Sequence, residues 1–129
     1  MGRRMVVRGL VAWALLASMT SAGAGQAAFS RQAFDKAVAS GGPVIVFVHA
    51  PWCPTCRAQK PIVDALLSEP KRKDVTLFVA DFDTETALRK DLGVAHQSTF
   101  VVFKGGKEVG RSTAQTDRAA IAALFDRAL

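Results

Sequence analysis

Val44-Ile45-Val46-Phe47-Val48-His49-Ala50-Pro51-Trp52-Cys53-Pro54-Thr55-Cys56 is the stretch on which the fold turns. Its first five residues form a continuous β-branched and aromatic run between Pro43 and Pro51, the pattern of a strand covered on both faces. Two cysteines follow at once. A helical segment then reaches to about Ser68, carrying Ile62, Val63, Leu66 and Leu67, with Pro61 inside it expected to kink it. Strand, Cys-x-x-Cys, helix puts Cys53 at a helix N-terminus, where unpaired backbone N–H groups and the helix dipole favour an anion. Disulfide exchange needs the thiolate, and a free thiol near pKa ~8.5 is mostly protonated at neutral pH. The placement therefore activates Cys53 for attack on a disulfide. Cys56, one turn on and on the same face, can resolve the mixed disulfide that results. Pro54 suits the first turn, where its missing N–H costs nothing.

Other meanings of the pair fare worse. A disulfide across so short a loop restrains the unfolded chain little, because the entropic gain grows with loop length. A structural zinc site wants four ligands at fixed spacing, and these are the only two cysteines. A haem attachment site needs histidine directly after the second cysteine, where Arg57 stands.

Outward from the motif, Ser30 can cap a helix over Arg31 to Ala39 that ends at Gly41-Gly42. Val75 to Phe82 reads as a second buried strand. Thr84 starts a short helix through Leu88 and Leu92, stopped by Gly93. Thr99 to Phe103 is a third strand, Lys104-Gly105-Gly106-Lys107 a tight turn, and Glu108 to Ser112 a fourth strand. Thr116 or Asp117 caps a last helix with Ile121, Leu124 and Phe125 along one stripe. The order α-β-α-β-α-β-β-α implies one α/β domain with a mainly parallel central sheet, flanking helices and an antiparallel edge hairpin.

The N-terminus reads differently. Arg3, Arg4 and Arg8 precede an apolar run from Leu10 to Ala17, and small residues crowd Ser18 to Ala28. Charged start, short apolar run and small-residue exit are the parts of a secretory signal peptide, and the run is short of the ~20 residues of a membrane span. Residues 1–24 are expected to be the signal peptide and 25–129 the mature domain, in the periplasm. Cleavage after Ala27 and retention as a membrane anchor are the alternatives. The Arg3-Arg4 pair partly resembles a twin-arginine signal, but Val6-Val7 is a weaker match than the bulkier residues usual there, which favours the general secretory route. The 17 basic and 11 acidic side chains of the precursor give net +6. Without the three early arginines the basic count falls to 14 and the net charge to +3, too mild and too scattered to imply nucleic acid. The one basic run, Lys71-Arg72-Lys73, reads as a solvated turn.

The residues Val46 to Cys56, Pro61 five positions after the second cysteine, and Leu92-Gly93-Val94 with Thr99 to Gly106 together resemble the thioredoxin family over roughly Ser30 to Leu129. The resemblance implies the thioredoxin fold and a thiol–disulfide oxidoreductase, with Cys53 as nucleophile and Cys56 as resolving thiol. It implies substrate contacts at Trp52, Pro54, Thr55, Gln97 and Ser98. Expected partners are disulfide-containing or dithiol proteins and a redox partner protein; no cofactor is expected, since the cysteines carry the electrons. Three positions depart from the family pattern. Phe47 replaces a buried aspartate that helps deprotonate the resolving cysteine, His49 replaces a tryptophan, and Ser98 replaces the cis-proline opposite the active site. His49 is thus a candidate proton acceptor for Cys56, with simple packing as the alternative. A metal or iron–sulfur site built from Cys53, Cys56 and His49 or His96 is the competing function. The uncharged Pro54-Thr55 pair points to a reductant. The Gln97–Ser98 bond is expected to be trans, because a non-proline cis bond costs ~2.5–4 kcal/mol. Proline restored at 98 is expected to preserve or raise disulfide reduction in an oxidoreductase.

Overall fold

The structure, a computed structural model, describes residues 25–129; the expected signal peptide lies outside the described residues. Five strands and four helices follow in the order β1 (Gly25–Ala28), α1 (Arg31–Ala39), β2 (Val44–His49), α2 (Pro54–Leu67), β3 (Thr76–Asp81), α3 (Thr86–Leu92), β4 (Thr99–Lys104), β5 (Lys107–Thr113) and α4 (Arg118–Asp126). The sheet order is β1-β3-β2-β4-β5. β3 runs parallel to both β1 and β2, whereas β4 runs antiparallel to both β2 and β5. The sheet is therefore mixed, its antiparallel half taking in the β2–β4 pair as well as the edge hairpin. That hairpin turns on Gly105 and Gly106, at φ 60° and 81°, a left-handed pair that side chains with a Cβ resist.

Alternation along β2 divides the core. Ile45 and Phe47 join Val63 and Leu66 of α2 and Ile121 and Phe125 of α4 on one face. Val44, Val46 and Val48 join Phe34 of α1 and Leu88 of α3 on the other. Both faces of the central strand are covered, which is why its sequence is apolar without a break.

Helix starts follow local chemistry. The Ser30 hydroxyl accepts from the Ala33 N–H and the Asp117 carboxylate from the Ala120 N–H, the expected caps for α1 and α4. α3 begins two residues later than Thr84, because the Asp81 carboxylate takes the N–H groups of Asp83 and Thr84 and holds them in a turn. α2 continues through Pro61 as one helix.

Two features were not expected from the sequence. The first strand, Gly25-Gln26-Ala27-Ala28, has neither β-branched residues nor alternation to announce it; its partner β3 recruits it. Nor is Lys71-Arg72-Lys73 all solvated. The 3₁₀ turn Pro70–Arg72 aims Arg72 inward, where its buried guanidinium meets the carboxylates of Glu69 and Asp126 and the Leu66 carbonyl.

Candidate active site

β2 ends at His49 and the chain turns through Ala50 to Trp52 before α2 begins, which delivers Cys53 to the helix N-cap. Its sulfur accepts the Cys56 N–H at 3.3 Å, so a cysteine fills the place that Ser or Asp fills elsewhere. Both cysteines are free thiols and both are buried. Ser98 faces them from the end of the loop before β4. Its Oγ lies 3.2 Å from Cys53 Sγ and 3.1 Å from Cys56 Sγ, one hydroxyl bridging both sulfurs.

The electrostatics separate the two thiols. Burial pushes the Cys53 pKa up, but hydrogen bonds from the Ser98 and Cys56 side chains and from the backbone of Cys56 and Thr55 outweigh it, leaving the value at about 7. Cys56 is raised, burial being the main cause, with the Cys53 thiol beside it adding to the rise against the opposing pull of Ser98. Phe47, fully buried where the family has its aspartate, stacks on Phe100 with ring centroids 4.6 Å apart. It brings no charge to the core below Cys56. The first thiol is thus poised to ionise near neutrality while the second keeps its proton.

The other anticipated residues fall around this pair. Trp52 is 54% exposed, its indole N–H donating to Asp83 at 2.7 Å, and Pro54 is exposed on the first turn of α2. Thr55 and Gln97 are half-buried. Ser98, by contrast, is only 3% exposed, so its hydroxyl faces the sulfurs. Every described peptide bond is trans, the Gln97–Ser98 bond as anticipated, and Ser98 takes φ 63°. The Ser98 N–H, however, donates to the Val48 carbonyl at 2.8 Å and is not available to a thiolate.

His49 sits on the cysteine face of β2 by alternation with Phe47, its ring 5.2 Å from the Phe47 ring. Burial and then nearby Lys60 lower its pKa against the pull of Asp81. Among the described residues no hydrogen bond joins its ring to either sulfur. His96 is exposed in the loop before β4. No group of three or more His, Cys, Asp or Glu among the described residues is arranged to hold a metal. Gln59, buried on α2 and bonded to the Ser98 carbonyl, was missed by sequence reasoning; nothing in its local sequence marks a polar residue on an inward helix face.

A dithiol at a helix N-terminus is the setting in which the likeness to known proteins can be read. The Thioredoxin family model matches residues 26–127. The chain belongs to the thioredoxin family. A thioredoxin of Chlamydia muridarum is 33% identical over 98 residues, covering 76% of this chain and 93% of its own. A thioredoxin of Chlamydia trachomatis is 32% identical with the same coverage. The crystal structure of Trxlp from Edwardsiella tarda EIB202 superposes with a TM-score of 0.76 at 36% identity, covering 78% of this chain and 98% of that one. The thioredoxin of Malassezia sympodialis, at 21% identity and a TM-score of 0.71 over 80% of this chain and 91% of its own, shares the fold. This thioredoxin-family chain is a thiol–disulfide oxidoreductase, and its partners are of the family's general kind: disulfide substrates and a reducing partner.

Proposed function

We propose that the mature chain works in the periplasm, reducing or exchanging disulfides of other proteins, with Cys53 attacking and Cys56 resolving. The observation that carries the reading is the asymmetry of the pair: Cys53 Sγ caps α2, accepting the Cys56 N–H at 3.3 Å with the Ser98 hydroxyl 3.2 Å away, which favours its thiolate, whereas burial raises the Cys56 pKa. The Cys53 thiolate attacks one sulfur of the partner's disulfide, forming a mixed disulfide and releasing the other sulfur as a thiolate. Cys56 then loses its proton and attacks Cys53 Sγ, releasing the partner's second sulfur. Two electrons pass to the partner, and the Cys53–Cys56 disulfide awaits a reductant. A nucleophile near 7 resembles reducing members of the family more than the strongly oxidising ones near ~3.5, which favours reduction as the direction. Trp52, Pro54, Thr55 and Gln97 form the rim on which the partner docks.

Exchange of cysteine for serine tests the roles. Cys53→Ser abolishes reduction of a protein disulfide, and Cys56→Ser accumulates a mixed disulfide visible on a non-reducing gel. Equal trapping by Cys53→Ser reverses the assignment. His49, neutral and on the cysteine face, is the proposed acceptor of the Cys56 proton. His49→Ala then slows the resolving step by ~10²-fold or more with the first attack intact; a change under twofold returns His49 to packing. Export rests on the pattern of residues 1–24, and cell fractionation tests it. Replacing Arg3 and Arg4 with Lys leaves export unchanged if the route is the general one.

A further inference from the structure

Ser98 holds a conformation that a residue with a Cβ keeps only when its surroundings fix it, φ 63°. Two of the fixing contacts are backbone: its N–H on the Val48 carbonyl at 2.8 Å and the Ala114 N–H on its own carbonyl at 3.0 Å. A third comes from a side chain. Gln59, 0% exposed, donates from Nε2 to the Ser98 carbonyl at 3.2 Å and to the Gln115 carbonyl at 2.8 Å. Two carbonyls on one amide end identify that end as the nitrogen, since the oxygen could donate to neither. The other end, Oε1, is buried with no hydrogen-bond partner among the described residues. A buried acceptor left unpaired weakens a fold, so removing the amide offsets part of what its two donated bonds contribute. What the amide adds is its hold on two carbonyls.

We infer that Gln59 is a positioning residue of the dithiol site: its amide clamps the carbonyls of Ser98 and Gln115 to α2 and so keeps the Ser98 hydroxyl seated on both sulfurs. Gln59 lies one turn after Cys56 on the same helix. One rigid element therefore carries both the resolving sulfur and the group that sets how far the hydroxyl sits from it. Without the clamp the Ser98 loop can relax from φ 63°, the hydroxyl leaves the sulfurs, and the Cys53 thiolate loses a donor. The inference rests on the reading of Cys53 and Cys56 as a redox dithiol, whatever its partner.

Ultraviolet thiolate absorbance of the reduced protein, titrated against pH, reads the effect directly. Gln59→Met, close in shape and without a donor, raises the Cys53 midpoint by about half to one pH unit, a part of what a charge-assisted hydrogen bond is worth. Its unfolding midpoint in denaturant falls only modestly, since the Ser98 carbonyl keeps the Ala114 N–H and the unpaired Oε1 is removed. In a Ser98→Ala background the same substitution adds nothing, because the hydroxyl it positioned is gone. Gln59→Leu is read in the same way should the Met variant not fold. An unchanged titration in the variant that folds, or an equal further rise in the Ser98→Ala background, overturns the inference. The titration uses no disulfide substrate. Failure to reduce protein disulfides would count against the proposed function and leave this result standing, and the reverse also holds.

Discussion

A hydroxyl between two sulfurs can give one proton and accept another, and at Ser98 the directions are set by the charges. A thiolate only accepts, so Ser98 donates to the ionised Cys53, while the Cys56 thiol beside it keeps its proton. The rate of Cys53 alkylation should therefore climb through pH about 7 and level off above it. Ser98→Ala removes the donor and moves that midpoint upward by ~1–2 pH units; a midpoint that stays in place would refute the bridge. Ser98→Pro, which the family pattern alone favours, carries the opposite expectation once the loop is seen. Proline holds φ near −65° and has no N–H, whereas Ser98 sits at 63° and donates to Val48. The orphaned carbonyl alone costs ~1–3 kcal/mol, so loss of stability and of the low Cys53 pKa is expected, read by unfolding and titration. Cys53, Cys56 and the departure at Ser98 were legible in the sequence because each sits at a fixed distance from the motif or the third strand. The bridging geometry and the Gln59 clamp were not, since they join residues about 40 apart through a backbone twist that serine does not announce.

Elements were read well where local chemistry decides them and poorly where a distant partner does. Ser30 and Asp117 cap their helices through their own side chains, so the caps are visible in a few residues. Arg72 is the opposite case. Its burial depends on Glu69 three residues before it and on Asp126 in α4, and no local pattern separates it from Lys71 and Lys73. It ties the C-terminal end of α2 to α4, at the opposite end of α2 from the cysteines. Removing one member of such a buried pair typically costs several kcal/mol. Both carboxylates here are about a third exposed and can rehydrate, so Arg72→Ala should cost on the order of 3 kcal/mol. A lower denaturant midpoint with an unshifted Cys53 titration is the expected outcome, because neither carboxylate nor guanidinium touches the sulfurs. A shifted titration would show that the α2–α4 tie reaches the site.

At the scale of the whole molecule, the order of strands and helices after Ser30, the parallel pairing and the edge hairpin were legible, and the first strand and the direction of the β2–β4 pair were not. Periodicity tells which residues are buried but not which way a neighbouring strand runs, so the antiparallel β2–β4 pair emerges only from the structure. The missed strand bears on where the chain would begin if it is cleaved on the proposed export. Gly25 to Ala28 pair in register with Thr76 to Val79, and the Gln26 side chain reaches α2, donating to Asp64 at 2.7 Å and accepting from Lys60 at 2.8 Å. Cleavage after Ala24 would leave all of β1. Cleavage after Ala27 would leave Ala28 alone of its four residues and expose the outer edge of β3, an unpaired row of backbone groups open to other chains. A mature protein starting at Gly25 is the expected result of intact-mass measurement on the exported form. A protein made to start at Ala28 should unfold at lower denaturant and associate at high concentration, while its Cys53 titration stays put because β2, α2 and Ser98 are untouched. Equal stability of the two forms would mean that β1 adds nothing to the sheet, and would reopen Ala27 as the cleavage site.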